Sequence, residues 1–146
     1  MLRATSVPLL SNQYTTATIA AGGALSLTTA TAKTITSISL GAGTYLVWGV
    51  GDFTLTTATT TEFRVGLSTA TNTLPTQAGG SGLGTDPLTV NPLILTTVSG
   101  TLTQDAGPTN FVIAVTTTLF LVAQATFSAG TVTGYGTLNA LQLNLV

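Results

Sequence analysis

The chain has no cysteine and no histidine, and its 146 residues include only three lysines and arginines and four acids. Without cysteine no disulfide forms, so burial, backbone hydrogen bonds and partner subunits must hold the fold. Without either residue the usual zinc ligands are missing, and a serine nucleophile has no imidazole to take its proton. A serine–lysine arrangement would have to use Lys33, the single lysine, with Ser37 and Ser39 close in sequence; strand pairing is the plainer role for all three. The net charge of −1 offers no basic footprint through which counterions could be released from nucleic acid, which excludes that partner. No run approaches the roughly 20 apolar residues of a membrane helix, and the N-terminus lacks the apolar stretch of a signal peptide. Neither membrane anchoring nor Sec export is expected.

The acids themselves are few and scattered. Asp52, Glu62, Asp86 and Asp105 show no paired spacing, whereas glycosidases need two carboxyls about 5 to 9.5 Å apart. Asp86 in a glycine-rich stretch and Asp105 ahead of Gly107 could each give calcium one oxygen, but a single acid at a turn is better read as a turn former. The run Ala78-Gly79-Gly80-Ser81-Gly82-Leu83-Gly84 contains no lysine and precedes no helical pattern, so it reads as a connection and not a phosphate loop. Glu62 and Arg64 sit at i and i+2 on one strand face as an exposed pair. No catalytic residue, cofactor or metal is expected, and the chain is read as a protein that works by assembling.

Neutral polar residues take the place of the missing charges. Threonine makes up about a quarter of the chain, and this β-branched residue suits a pleated strand better than a helix interior. From residue 25 onward, apolar runs of strand length alternate with Gly, Pro, Asn and Ser clusters, the pattern of an all-β sandwich or barrel. Strands are expected over residues 25–31, 33–40, 44–55, 61–68, 93–95, 98–103, 111–115, 119–127 and 132–146. Ile35 is out of phase with Ile38 and Leu40, which predicts a bend or bulge between them. On residues 44–55, Tyr45, Val47, Phe53 and Leu55 define the core face; Phe63, Val65 and Leu67 do so on 61–68, and Leu119, Leu121, Ala123, Ala125 and Phe127 on 119–127. Residues 1–24 differ in composition and read as an extended N-terminal arm; residues 25–146 form the sandwich.

Two segments are apolar on both faces. Around Leu46-Val47-Trp48 and Leu119-Phe120-Leu121-Val122, one face fills the sandwich and the other is left for a partner subunit or, as the alternative, for covering loops of the same chain. Aromatic side chains of this kind carry on the order of 150 to 250 Å² each, and an uncovered patch of them promotes aggregation. Leu46, Trp48, Val50, Phe120 and Val122 are therefore the expected subunit contact.

At Gly43-Thr44-Tyr45-Leu46-Val47 the chain resembles the glycine–aromatic strand of trimeric jelly rolls related to complement heads and tumour-necrosis-factor-like domains. It is similar to β-sandwich modules at the ends of bacteriophage and prophage fibres through three features: the Thr-rich entry over residues 27–40, the run over residues 116–127, and Thr133-Gly134-Tyr135-Gly136. The resemblance covers residues 25–146. It implies a homotrimeric jelly-roll sandwich in a virion, with its aromatic outer faces turned toward the threefold axis. Because only an arm of about two dozen residues precedes the sandwich in the sequence, a capsid decoration or cement protein is expected. Leu2, Arg3, Val7, Leu9, Leu10 and Tyr14 of the arm would then meet the major capsid protein. The alternative is a fibre tip that binds host-surface glycan, with Tyr14, Trp48 and Tyr135 as stacking surfaces. Thr-x-Thr pairs such as Thr29-Ala30-Thr31, Thr54-Leu55-Thr56 and Thr71-Asn72-Thr73 lack the fixed period of an ice-binding array.

Overall fold

The computed structural model describes residues 13–74 and 95–143, apart from the side chains of residues 60, 61 and 95–98. Its strands are β1 (Tyr14–Ile19), β2 (Leu25–Ser26), β3 (Lys33–Leu40), β4 (Gly43–Ser68), β5 (Leu95–Ile113) and β6 (Thr117–Gln142), with one short 3-10 turn at Ala21–Gly23. All strand pairs are antiparallel and belong to one hydrogen-bonded sheet. The chain is all-β, as its threonine content requires.

Strands β4 and β6 are each 26 residues long, far beyond the usual five or six. They pair with one another from Tyr45↔Gln142 to Ser68↔Phe120. A straight ribbon of that length would extend roughly 85 Å and enclose nothing. It folds over instead, at a corner where the register slips between Thr56 and Glu62. Thr57 (φ 47°) and Gly130 (φ 74°) both adopt left-handed backbone there. A Cβ at Gly130 would run into the carbonyl oxygens of Thr56 and Thr57, so only glycine fits.

The corner turns one sheet into two facing layers. The first contains β1, residues 131–142 of β6, residues 43–56 of β4, and β5, with β2 beside Thr133 and Gly134. The second contains β3, residues 117–129 of β6 and residues 59–68 of β4. The start of β5 reaches the corner, where Val98 pairs with Ala58 and Leu95 with Thr60.

Between the layers lies a single core of Val47, Phe53, Leu55, Phe63, Val65, Leu67, Leu119, Leu121, Val132 and Leu138, all 3% exposed or less, joined by Ile35, Ile38 and Leu40 of β3. Two glycines of β4 admit the opposite layer. A Cβ at Gly49 would meet Leu121 Cδ1 at 2.5 Å, and one at Gly51 would meet Val65 Cγ2 at 2.6 Å. The layers thus close over backbone at these two points.

The alternation of core residues on residues 44–55, 61–68 and 119–125 is as expected, and the predicted bulge appears as a register shift between Thr34 and Thr36. Four expectations are corrected. The segments 44–55 and 61–68 are one strand, as are 98–103 with 111–113 and 119–127 with 132–142, because the breaks between them are bends within paired ribbons. Val115 leaves the strand for the following turn and is 72% exposed. Residues 27–31 are outside the ladder, and Leu25–Ser26 alone pair as β2. Tyr14–Ile19, read as part of an extended arm, is a strand of the first layer, since its backbone completes the ladder beside β6 from Tyr14↔Leu141 to Ile19↔Gly136.

Candidate functional site

The outward face of the first layer carries the expected contact residues of β4. Residues opposed across antiparallel strands share a face, which allows the surface to be laid out in rows. Tyr14, Leu141, Leu46 and Asn110 form one row; Thr16, Asn139 and Trp48 form the next, with Pro108 at the slip in β5; Thr18, Thr137, Val50 and Asp105 form the third. Leu46, Trp48 and Pro108 line a shallow apolar depression of about 280 Å³. Val112, paired with Thr44 one row beyond Leu46, is 73% exposed.

Strand β1 is fastened to this face by polar contacts. Tyr14 Oη donates to Asn139 Oδ1 at 2.6 Å, and Thr16 Oγ1 donates to the same oxygen at 2.9 Å. The Tyr14 ring then lies 6.1 Å from the Trp48 ring at 38°. Asn139 is 6% exposed, so its amide acts as a covered post between the two aromatics. Tyr14 itself stays 48% exposed.

The structure does not bring the five expected contact residues together. Phe120 and Val122 alternate with Leu119, Leu121 and Ala123 of the second layer, opposite Ser68 and Gly66. Their side of the second layer points away from the core. Val122 has no exposed surface at all, although it lies outside the main core cluster. Beside it, Thr34 and Asn72 exchange hydrogen bonds, Thr34 N–H to Asn72 Oδ1 and Asn72 N–H to Thr34 Oγ1, both 2.8 Å. The expected contact set is therefore divided: Leu46, Trp48 and Val50 share the outward face of the first layer with Tyr14, Pro108 and Val112, whereas Phe120 and Val122 belong to the second layer. Apolar residues on both sides of a strand reveal that each side is covered or coverable, not that the sides meet.

Of the arm residues, Leu2, Arg3, Val7, Leu9 and Leu10 lie outside the described residues, as do Asp86 and the glycine-rich run. Tyr14 belongs to the sheet. Asp52 and Asp105 are diagonal neighbours on the first layer, whereas Glu62 sits on the second and pairs with Arg64 at 2.8 Å. Among the described residues no three His, Cys, Asp or Glu side chains gather as a metal site. Lys33 Nζ donates to the Ser26 carbonyl oxygen at 2.9 Å and so is engaged away from Ser37 and Ser39. No helix among the described residues is long and apolar enough to cross a membrane. No family model matches the chain, and neither curated proteins nor solved structures yield a match.

Proposed function

We propose that the chain is a non-enzymatic structural protein of a virion: a jelly roll that trimerises through its first layer and decorates the outer capsid surface. The strand order supports the jelly roll. Counting the halves of β4 and β6 separately, and leaving aside β2, the first layer reads 1-7-3-5 and the second 2-6-4 in chain order, with the start of β5 meeting strand 4 at the corner through Leu95↔Thr60. Two interleaved Greek keys produce this order.

The observation that carries the assembly reading is the apolar depression lined by Leu46, Trp48 and Pro108, on the face that also carries the exposed Tyr14 and Val112. No charged side chain shares the rows of Leu46 and Trp48, so sister molecules can meet there without stripping water from ions. Light scattering on the purified chain tests it. The wild type is expected at three times the chain mass and Trp48→Ala at the monomer mass. A monomeric wild type, or an undiminished trimer in both Trp48→Ala and Leu46→Ala, would remove the assembly reading. Capsid attachment is tested by deleting residues 1–12, a cut that spares β1. The truncated protein is expected to remain trimeric and to lose binding to capsids built of the major capsid protein.

A further inference from the structure

The lower half of the same face differs from the apolar end. Below Val50, the row Tyr135–Asp52–Thr103 is followed by Ser26–Thr133–Thr54–Thr101 and then Thr131–Thr56. Three pairs, Thr54 with Thr56, Thr101 with Thr103, and Thr131 with Thr133, come from distant parts of the chain and stand side by side on β4, β5 and β6. Strand geometry spaces them about 4.8 Å across the sheet and about 6.8 Å along it.

The hydroxyls differ in whether they are used. Thr18 and Thr137 bond each other at 3.0 Å, Thr16 bonds Asn139, and Thr103 donates to Asp52 Oδ1. Thr54, Thr56, Thr101, Thr131 and Thr133 make no side-chain hydrogen bond among the described residues, and Thr56, Thr101 and Thr131 are exposed. Stiff β-branched rotamers hold these groups in place before any ligand arrives.

We propose that this array binds a neutral, hydroxyl-rich polysaccharide. Its threonines exchange hydrogen bonds with sugar hydroxyls, Asp52 accepts from one of them, and the half-buried Tyr135 ring at the upper edge stacks on a sugar face. Charge complementarity selects the partner. The ionisable groups in these rows are Asp52 and the Tyr135 phenol, with Asp105 diagonal to Asp52 and the Lys33 ammonium engaged by the Ser26 carbonyl at the edge, so neither a polyanion nor a basic peptide meets a run of complementary charge. An extended neutral glycan can instead satisfy donors and acceptors repeated at nearly constant spacing. This inference stands apart from the trimer reading, because the array and the apolar depression occupy opposite ends of the face.

The experiment is affinity electrophoresis of the full chain through gels containing a soluble β-1,4-glucan, a β-1,4-galactomannan or, as polyanion, chondroitin sulfate, with mass followed by light scattering. Retardation by at least one neutral polymer and none by chondroitin sulfate is expected. The isosteric triple variant Thr54→Val, Thr101→Val, Thr133→Val should keep the wild-type mass and melting point and weaken retention by about tenfold or more. Tyr135→Ala should weaken it too. Absence of retardation by both neutral polymers, or retention unchanged in the triple variant, overturns the proposal. So does inhibition of ice recrystallisation without polysaccharide retention, which would assign the array to ordered water.

Discussion

The rings of Phe53 and Phe63 lie 4.7 Å apart at 51°, although both belong to the same strand. Ten residues of straight strand would separate them by about 33 Å. The contact therefore records the folding-over of β4, and with it the creation of an interior. Each ring is fully buried.

Replacing either phenylalanine with alanine is expected to destabilise the chain by about 3 to 5 kcal/mol. In a double-mutant cycle the two should couple by about 0.5 to 1.5 kcal/mol beyond area burial. Urea denaturation of the four proteins measures both quantities, and strictly additive losses would show that the ring contact contributes nothing of its own.

Gly51 and Val65 supply a second test of how closely the layers approach. Gly51→Ala places a methyl 2.6 Å from Val65 Cγ2 and should cost about 1 to 3 kcal/mol through overpacking. Trimming the opposing side chain as well, in Gly51→Ala with Val65→Ala, should be less damaging than the sum of the two single changes. Thermal melts of the three variants decide this.

Gln104 is 4% exposed, and neither its Oε1 nor its Nε2 has a hydrogen-bond partner among the described residues. It opposes Gly51 on the inward side of β5. A buried amide without partners carries an uncompensated desolvation penalty, so Gln104→Leu, similar in volume, is expected to stabilise the fold by about 1 to 3 kcal/mol. A lower urea midpoint for the leucine variant would show that the amide is satisfied in solution.

Asn139 anchors β1 through Tyr14 and Thr16. Asn139→Ala removes the shared acceptor and should cost about 1 to 3 kcal/mol, loosening β1 while the rest of the sheet persists. Trp48 is the only tryptophan, so its emission reports directly on the Tyr14 contact. A red shift is expected, with faster amide exchange confined to residues 14–19; unchanged emission and exchange would mean that backbone pairing alone holds the strand.

Much of this architecture can be read from residue order. Alternation with a period of two identified the inward faces at Tyr45, Val47, Phe53 and Leu55, at Phe63, Val65 and Leu67, and at Leu119, Leu121, Ala123 and Ala125, while the phase slip at Ile35 located a bulge. These are local properties, because adjacent side chains on a strand must point to opposite sides. The poverty of charge, and the absence of histidine and cysteine, are likewise complete in the sequence.

The layer to which each face belongs is not local. Trp48 and Phe120 look equivalent in sequence, yet they stand on the outward faces of different layers of the folded sheet because β4 and β6 bend together at Thr57 and Gly130. The threonine pairs show no period along the chain, yet Thr54 lies between Thr101 and Thr133. Side-chain alternation depends only on neighbours in sequence, whereas register and layer depend on pairings between residues as far apart as Tyr14 and Leu141. Composition and periodicity therefore determined that this chain is a β protein with a defined inward face. The corner and the long-range pairing alone decided which outward residues share a surface.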